Sequence, residues 1–211
     1  MKKIIFDLDN TLLMFDKKYI KAYQIALKEN NLESSYQDAL DIYDSIGRYE
    51  ETQNIYNKID LLDFINKDLN KNYPLKLVDD ILLVVGKYWT NPVSLEVIDT
   101  LEYLKDKYEL YCLTNWFTEP QTERLKNVGI LKYFHLVVGA DIVPAKPSKE
   151  AFKYIMKDND PKDFTMIGDN VDVDIKGALD VSMNAILFDY KDKYCNKYNR
   201  ITKIEELKNI L

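Results

Sequence analysis

From residue 91 onward, apolar residues at helical spacing alternate with short apolar runs, and this alternation limits the possible folds more than any other feature of the chain. Leu95, Ile98, Leu101 and Leu104 predict a helix that leads into the strand Leu110-Tyr111-Cys112-Leu113. Thr118, with Pro120 and Gln121 behind it, reads as the next helix start, and Gly129 as its stop. Leu136-Val137-Val138 is a short strand, Ser148 heads a helix through Phe152 and Ile155, and Phe164-Thr165-Met166-Ile167 is a strand again. A helix through Ile175 and Leu179 precedes the strand Ala185-Ile186-Leu187-Phe188, and Thr202 with Glu205 forms a capping box for a last helix through Leu207 and Ile210. Strands joined by helices run parallel, because each crossover returns the chain to the same end of the sheet. The expected fold class is therefore α/β: a doubly wound parallel sheet, Rossmann-like, with helices on both faces.

Ile4-Ile5-Phe6 supplies one more strand near the start. The pattern is then helical for a long stretch, through Ile20, Tyr23 and Leu27, then Ala39, Leu40 and Tyr43, then Ile55, Ile59, Leu62, Ile65 and Leu69, and finally Val78, Ile81, Leu82, Val85 and Trp89. Asn91-Pro92 breaks the run. No strand pattern intervenes, and the stretch is too long for a connection. The expectation is a core of residues 1–13 and 91–211 carrying an inserted helical cap, residues 14–90. A chain of 211 residues, 46% hydrophobic, is large enough for both.

In open α/β sheets, ligands bind beyond the carboxyl ends of the strands. Four polar groups converge on that edge. Asp7-Leu8-Asp9-Asn10-Thr11 follows Phe6, Thr114-Asn115 follows Leu113, Lys146-Pro147 lies in a later loop, and Gly168-Asp169-Asn170 follows Ile167 with Asp174 five residues beyond Asp169. Carboxylates alternating off one strand share a side, and at about 4 Å with an effective dielectric near 20 they repel by ~4 kcal/mol. A divalent cation offsets such crowding: Mg²⁺ takes oxygen ligands and needs few protein carboxylates when a phosphate supplies the rest. Singly, each residue has a plainer reading. Asp9, Asn10 or Thr11 can cap a helix, Asp169 and Asp174 can favour the positive end of a helix dipole, Lys146 can be a solvated lysine and Thr114 a strand-end hydroxyl. These readings give no reason for all of them to fall on one edge in this order.

Twenty-nine Lys and Arg against 35 Asp and Glu leave a net charge of −6, and no basic tract is present, which argues against a nucleic acid polymer as partner. An anionic ligand must therefore be held locally, by a cation, a lysine or backbone N–H groups. Cys112 and Cys195 show no metal-ligand spacing, and Cys112 falls inside an apolar strand, which suits a reducing cytoplasm. Met1-Lys2-Lys3-Ile4 has the charged start of a signal peptide, but Asp7 and Asp9 interrupt the apolar stretch, so neither a targeting segment nor a membrane anchor is expected.

The four motifs, in this order and context, resemble those of the haloacid dehalogenase superfamily, in the phosphatase branch whose helical cap is inserted after the first motif. Asp7 to Thr11 is similar to the first motif, Thr114-Asn115 to the second, Lys146-Pro147 to the third, and Gly168-Asp169 through Asp174 to the fourth. The resemblance covers nearly the whole chain. It implies a phosphoric monoester hydrolase in which Asp7 attacks phosphorus and forms an aspartyl-phosphate, and Asp9 protonates the leaving oxygen and later deprotonates water. Mg²⁺ would be held by the Asp7 carboxylate, the Asp9 backbone carbonyl and Asp169, with Asp174 orienting the metal site. Thr114, Asn115 and Lys146 would hold the phosphoryl oxygens. The family's dehalogenases resemble this chain in fold but have no acid where Asp9 stands, because a halide needs no proton. Its mutases share both aspartates, and Thr11, where they carry an aliphatic residue, leans towards hydrolysis. A phosphomutase, or a catalytically silent module that binds a phosphometabolite, remains the alternative.

Substrate choice would lie with the cap. Arg48, beside Gly47 in an expected loop, is a candidate for meeting an anionic or hydroxyl-rich substrate, with a solvated arginine as the plainer reading. Trp116 can line the entrance and stack on a sugar or base, or pack against the cap. Eight tyrosines fall between Tyr19 and Tyr88 and read as amphipathic core or rim residues. His135, the single histidine, lies in an apolar strand region and needs no catalytic role. The expected partner is a small phosphorylated metabolite, and the expected state a monomer or homodimer.

Overall fold

A computed structural model of the chain describes residues 2–14, 20–88, 92–194 and 197–211. Tyr19, Trp89, Asn91 and Cys195 lie outside the described residues, as do the side chain of Tyr88 and the expected junction at 90/91. The centre of the sheet is β1 (Lys3–Phe6), flanked by β2 (Glu109–Leu113) on one side and β4 (Phe164–Gly168) on the other. Outside β2 lies β3 (Phe134–Val138), and outside β4 lie β5 (Asn184–Phe188) and the short β6 (Arg200–Ile201). The order is β3-β2-β1-β4-β5-β6, and every neighbouring pair is parallel. The chain leaves β1 towards β2 and β3, then crosses back to β4, so the winding reverses beside β1 and opens a crevice there. Phe6 is level with Cys112 on one side and Ile167 on the other. The residues that follow these strands therefore emerge together at one end of the sheet.

Alternation along β1 feeds two cores. Ile4 and Phe6 pack among residues of α5 (Leu95–Leu104), α6 (Thr118–Asn127) and α9 (Leu207–Ile210), whereas Ile5 packs on the opposite face with α7 (Lys149–Met156) and α8 (Lys176–Leu179). These residues are fully buried, as in a sheet covered on both sides. No helix among the described residues is long and apolar enough to cross a membrane.

Four helices, α1 (Ile20–Glu29), α2 (Tyr36–Thr52), α3 (Lys58–Leu69) and α4 (Leu75–Tyr88), build a third core around Leu27, Ile42, Tyr49, Ile65 and Ile81. Ser35 and Asp38 form a capping box that starts α2. This helix is 17 residues long and contains Gly47 and Arg48, so the loop expected there is absent: Ile42, Ile46 and Tyr49 keep the helical spacing, and a lone glycine costs only about 1 kcal/mol. Ile55, expected within a helix, is 52% exposed and lies ahead of α3, because the Asn57 side chain accepts the N–H of Ile59 and of Asp60 and sets the helix start at Lys58. The helical group is tied to the sheet. Tyr56 N–H donates to the Ala140 carbonyl at 2.8 Å, and the Asn127 amide on α6 donates to the Gly86 carbonyl on α4 at 2.9 Å.

Three further details differ from expectation. The helix expected through Ile175 and Leu179 is α8 of four residues entered by a wide π-helical turn, Val171–Ile175. The carboxylate that accepts from Thr202 and Lys203 N–H is Glu206, not Glu205. The two-residue strand β6 is too short for any alternation to announce it.

Candidate active site

Beyond Phe6, the carbonyl of Leu8 accepts the N–H groups of Thr11, Leu12 and Leu13, and Asn10 takes a positive φ of 62° to close the turn. This tight reversal leaves Asp7 and Asp9 at the mouth of the crevice. They line a cleft of about 330 Å³ together with Thr114, Asn115, Lys146, Asp169 and Asp174. Each expected strand-end residue is thus in one place, and Trp116 lines the cleft as well. Arg48 does not: its guanidinium pairs with Asp68 on α3 at 2.5 Å.

Lys146 is buried and central. Its ammonium donates to Asp7 Oδ1 at 2.7 Å and to Asp174 Oδ1 at 2.6 Å. Burial alone would lower the lysine, but the charges of Asp174 and Asp7 outweigh it and hold the group above the usual lysine range. Burial pushes the Asp7 carboxyl up, against the pull of Lys146, because the single ammonium is shared with Asp174. Thr11 Oγ1 donates to the other Asp7 oxygen at 3.1 Å. Asn115 holds Lys146 from behind: its amide donates to the Lys146 carbonyl and its oxygen accepts the Lys146 N–H, both at 2.8 Å. Asp174 is fixed by Lys146 and by the Asn170 N–H at 3.1 Å.

A second network, unforeseen from the sequence, surrounds Asp9. Arg124 on α6, only 2% exposed, pairs with Asp9 Oδ1 at 2.7 Å and donates to Gln121 Oε1 at 2.6 Å. Gln121 in turn donates to Asp9 Oδ2 at 2.9 Å and to Thr114 Oγ1 at 2.8 Å. Both oxygens of Asp9 are thereby held, and Thr114 is tied to the same group. Glu50, on the last turn of α2, faces this region across the cleft and was likewise missed.

Carboxylate oxygens of Asp7, Asp169 and Asp174 can come within 4.8 Å of one another. With all three ionised and Lys146 charged, the cluster carries three negative charges and one positive, a net of two negative charges. Burial, and then the Asp174 charge, push the Asp169 carboxyl up to about 6, the mark of a cluster short of positive charge. An all-oxygen donor set with that deficit fits a hard divalent cation.

The sequence matches the family model of haloacid dehalogenase-like hydrolases over residues 1–181. The chain belongs to that family. Over 122 residues it is 31% identical to the HAD-hydrolase YfnB of Bacillus subtilis, and this matched stretch spans 54% of this chain and 52%, about half, of that relative's length. It is 27% identical to the pyrimidine 5'-nucleotidase PynA of Streptococcus pneumoniae over 89% of this chain and 83% of that protein. It is 29% identical to the phosphoglycolate phosphatase of Aquifex aeolicus over 84% and 80%, respectively. The crystal structure of YfnB bound to magnesium superposes with a TM-score of 0.73 over 100% of this chain and 98% of that one, at 20% identity, a likeness of fold. As a family member the chain is a hydrolase with a Rossmann-like core.

Proposed function

We propose that this hydrolase is a cytoplasmic, Mg²⁺-dependent phosphatase that cleaves a small phosphomonoester through an aspartyl-phosphate on Asp7, with α1–α4 serving as a cap over the cleft. The observation that carries the reading is the convergence of Asp7, Asp9, Lys146 and Asp169 on one cleft at the reversal point of the sheet. PynA and the Aquifex enzyme, both named for phosphomonoester hydrolysis, support the substrate class.

Asp7 supplies the nucleophile: a carboxylate oxygen bonds to phosphorus as the ester P–O bond breaks, and Asp9 gives its proton to the departing oxygen. In the second half, Asp9 takes a proton from water, the water oxygen bonds to phosphorus, and the bond to Asp7 breaks, returning the carboxylate and releasing inorganic phosphate. Lys146 neutralises Asp7 and Asp174 and offers its charge to the phosphoryl oxygens, with Thr114 beside it. Asn115 acts through Lys146, whose backbone it grips. The carboxylates of Asp7 and Asp169 would hold Mg²⁺, with the Asp9 carbonyl and with Asp174 beside them. When bound, the ion spreads the charge of the transferring phosphoryl group. Arg124 and Gln121 keep Asp9 in a fixed rotamer at the site. A proton donor at Asp9 suits an alkoxide leaving group and argues against dehalogenation.

Two measurements test the reading. Asp7→Asn is expected to abolish phosphate release from p-nitrophenyl phosphate while leaving the circular dichroism spectrum and melting temperature near those of the parent. Chelation should abolish turnover, and Mg²⁺ at about 100 times its dissociation constant should restore it and stabilise the fold by ~2.7 kcal/mol. Near-normal turnover in Asp7→Asn would end the assignment. A requirement for a bisphosphate activator, with little phosphate release, would favour the mutase.

A further inference from the structure

The end of the cleft away from Lys146 is furnished by the helical group. On α2, Tyr43, Ile46, Gly47 and Glu50 follow one another at helical spacing and form a single stripe along the cleft wall. Trp116 lines the cleft beside them, its ring edge-on to Tyr56 at 6.1 Å and to Phe117 at 5.2 Å. Glu50 is the one charged residue that the helical group contributes to the lining, among the described residues. Its side chain is exposed along the cleft, and no described residue donates a hydrogen bond to it or pairs with it. Arg48, two residues earlier, is turned to Asp68 and leaves it uncompensated. The two cations of the lining are engaged elsewhere, Lys146 with Asp7 and Asp174, and Arg124 with Asp9.

Crowding by the cleft walls, and then the charge of Asp9, push the Glu50 carboxyl upward even though the side chain keeps contact with solvent. This end of the cleft thus already resists one negative charge. A second, brought by a leaving group with its own carboxylate or phosphate, would find both described cations of the lining already engaged and would be repelled by Asp9 and by Glu50 in its ionised form. A neutral group with an N–H or O–H donor would instead satisfy the carboxyl oxygen that has no partner, and a flat ring would find Trp116.

On the footing of the phosphatase reading, we propose that Glu50 is a specificity-determining residue. It accepts a hydrogen bond from an uncharged, donor-bearing leaving group such as a nucleoside or sugar, and the cleft discriminates against phosphomonoesters whose leaving group carries a second anion.

The test measures kcat/KM for uridine 5'-monophosphate and for phosphoglycolate with the full chain, its Glu50→Gln, Glu50→Leu and Glu50→Arg variants. The readout is the ratio of the two values within each protein, which a uniform loss of activity does not move. The parent is expected to favour the nucleotide by about tenfold or more, Glu50→Gln to keep that ratio within about threefold, and Glu50→Leu to lower it about tenfold through loss of the acceptor. Glu50→Arg should shift it furthest, towards phosphoglycolate. If the parent hydrolyses p-nitrophenyl phosphate but prefers phosphoglycolate, or if the ratio is the same in Glu50→Leu and Glu50→Arg as in the parent, the specificity assignment is overturned while the phosphatase reading stands. A parent that hydrolyses no phosphomonoester overturns both.

Discussion

Gly168 ends β4 directly beneath Asp174, and its lack of a side chain is what lets the carboxylate reach Lys146. A Cβ at position 168 would lie 2.6 Å from the Asp174 Cβ and closer still to its carboxyl atoms, well inside van der Waals contact. Gly168→Ala therefore has to displace Asp174. The displacement carries an overpacking cost of about 1–3 kcal/mol and breaks the charge-assisted bond to Lys146, worth about 1.5–3 kcal/mol. A total of about 3–5 kcal/mol follows, and at ~2–4 °C per kcal/mol for a chain of this size the melting temperature should fall by roughly 10 °C. The cause can be isolated with a double-mutant cycle against Asp174→Gly, which removes the three atoms nearest the new methyl. In that background Gly168→Ala should cost about 1 kcal/mol or less, so the coupling between the two sites is about 3 kcal/mol. Urea denaturation of the four proteins in chelator, at low temperature to keep the weakest folded, supplies the numbers. A coupling energy below about 0.5 kcal/mol would show the two sites to be independent and refute the steric account.

Two further outcomes follow from the buried charges. Arg124→Met leaves Asp9 Oδ1 and Gln121 Oε1 without their donor, and because the Asp9 side chain is 30% open to the cleft the cost should be about 2–3 kcal/mol in urea denaturation, below that of a fully enclosed pair. A cost under about 0.5 kcal/mol would mean that the pair contributes nothing to the fold. At Asp189, burial raises the carboxyl, but the N–H groups of Lys193 and Tyr194 and the Arg200 guanidinium outweigh it and hold the group below its ordinary value. Its contribution is then complete above the unfolded value near ~3.9 and is lost as pH falls through the lower folded value. The stability gap between the parent and Asp189→Asn should accordingly be largest near neutrality and shrink below about pH 4, and a gap that does not change with pH would contradict the assignment.

The sheet and the polar residues at its edge were legible because they contrast with their surroundings: an apolar run that ends in Asp7, Thr114 or Asp169 marks both a strand and the place where it stops. What stayed hidden lies on helices whose site-facing stripe is polar. In α6, the buried residues are Pro120, Gln121, Arg124 and Leu125, at helical spacing, but hydrophobic periodicity reads Gln and Arg as solvent-facing and discards them. The signal was nevertheless present, since Gln121 and Arg124 occupy the same stripe as Leu125. A buried arginine requires a buried or half-buried anion, and Asp9 was already known to stand at the sheet edge. The same reasoning sorts the carboxylates of the cleft. Asp9 has Arg124, while Asp7 and Asp174 share Lys146. Asp169 and Glu50 pair with no cation among the described residues, and both carboxyls are pushed upward. In the proposed reaction these two would stand at opposite ends of the ligand's path, Asp169 beside the phosphoryl group and Glu50 beside the leaving group. An unpaired carboxylate at each end is what a site requires when one partner is a cation and the other a hydrogen-bond donor, both of which arrive from solution.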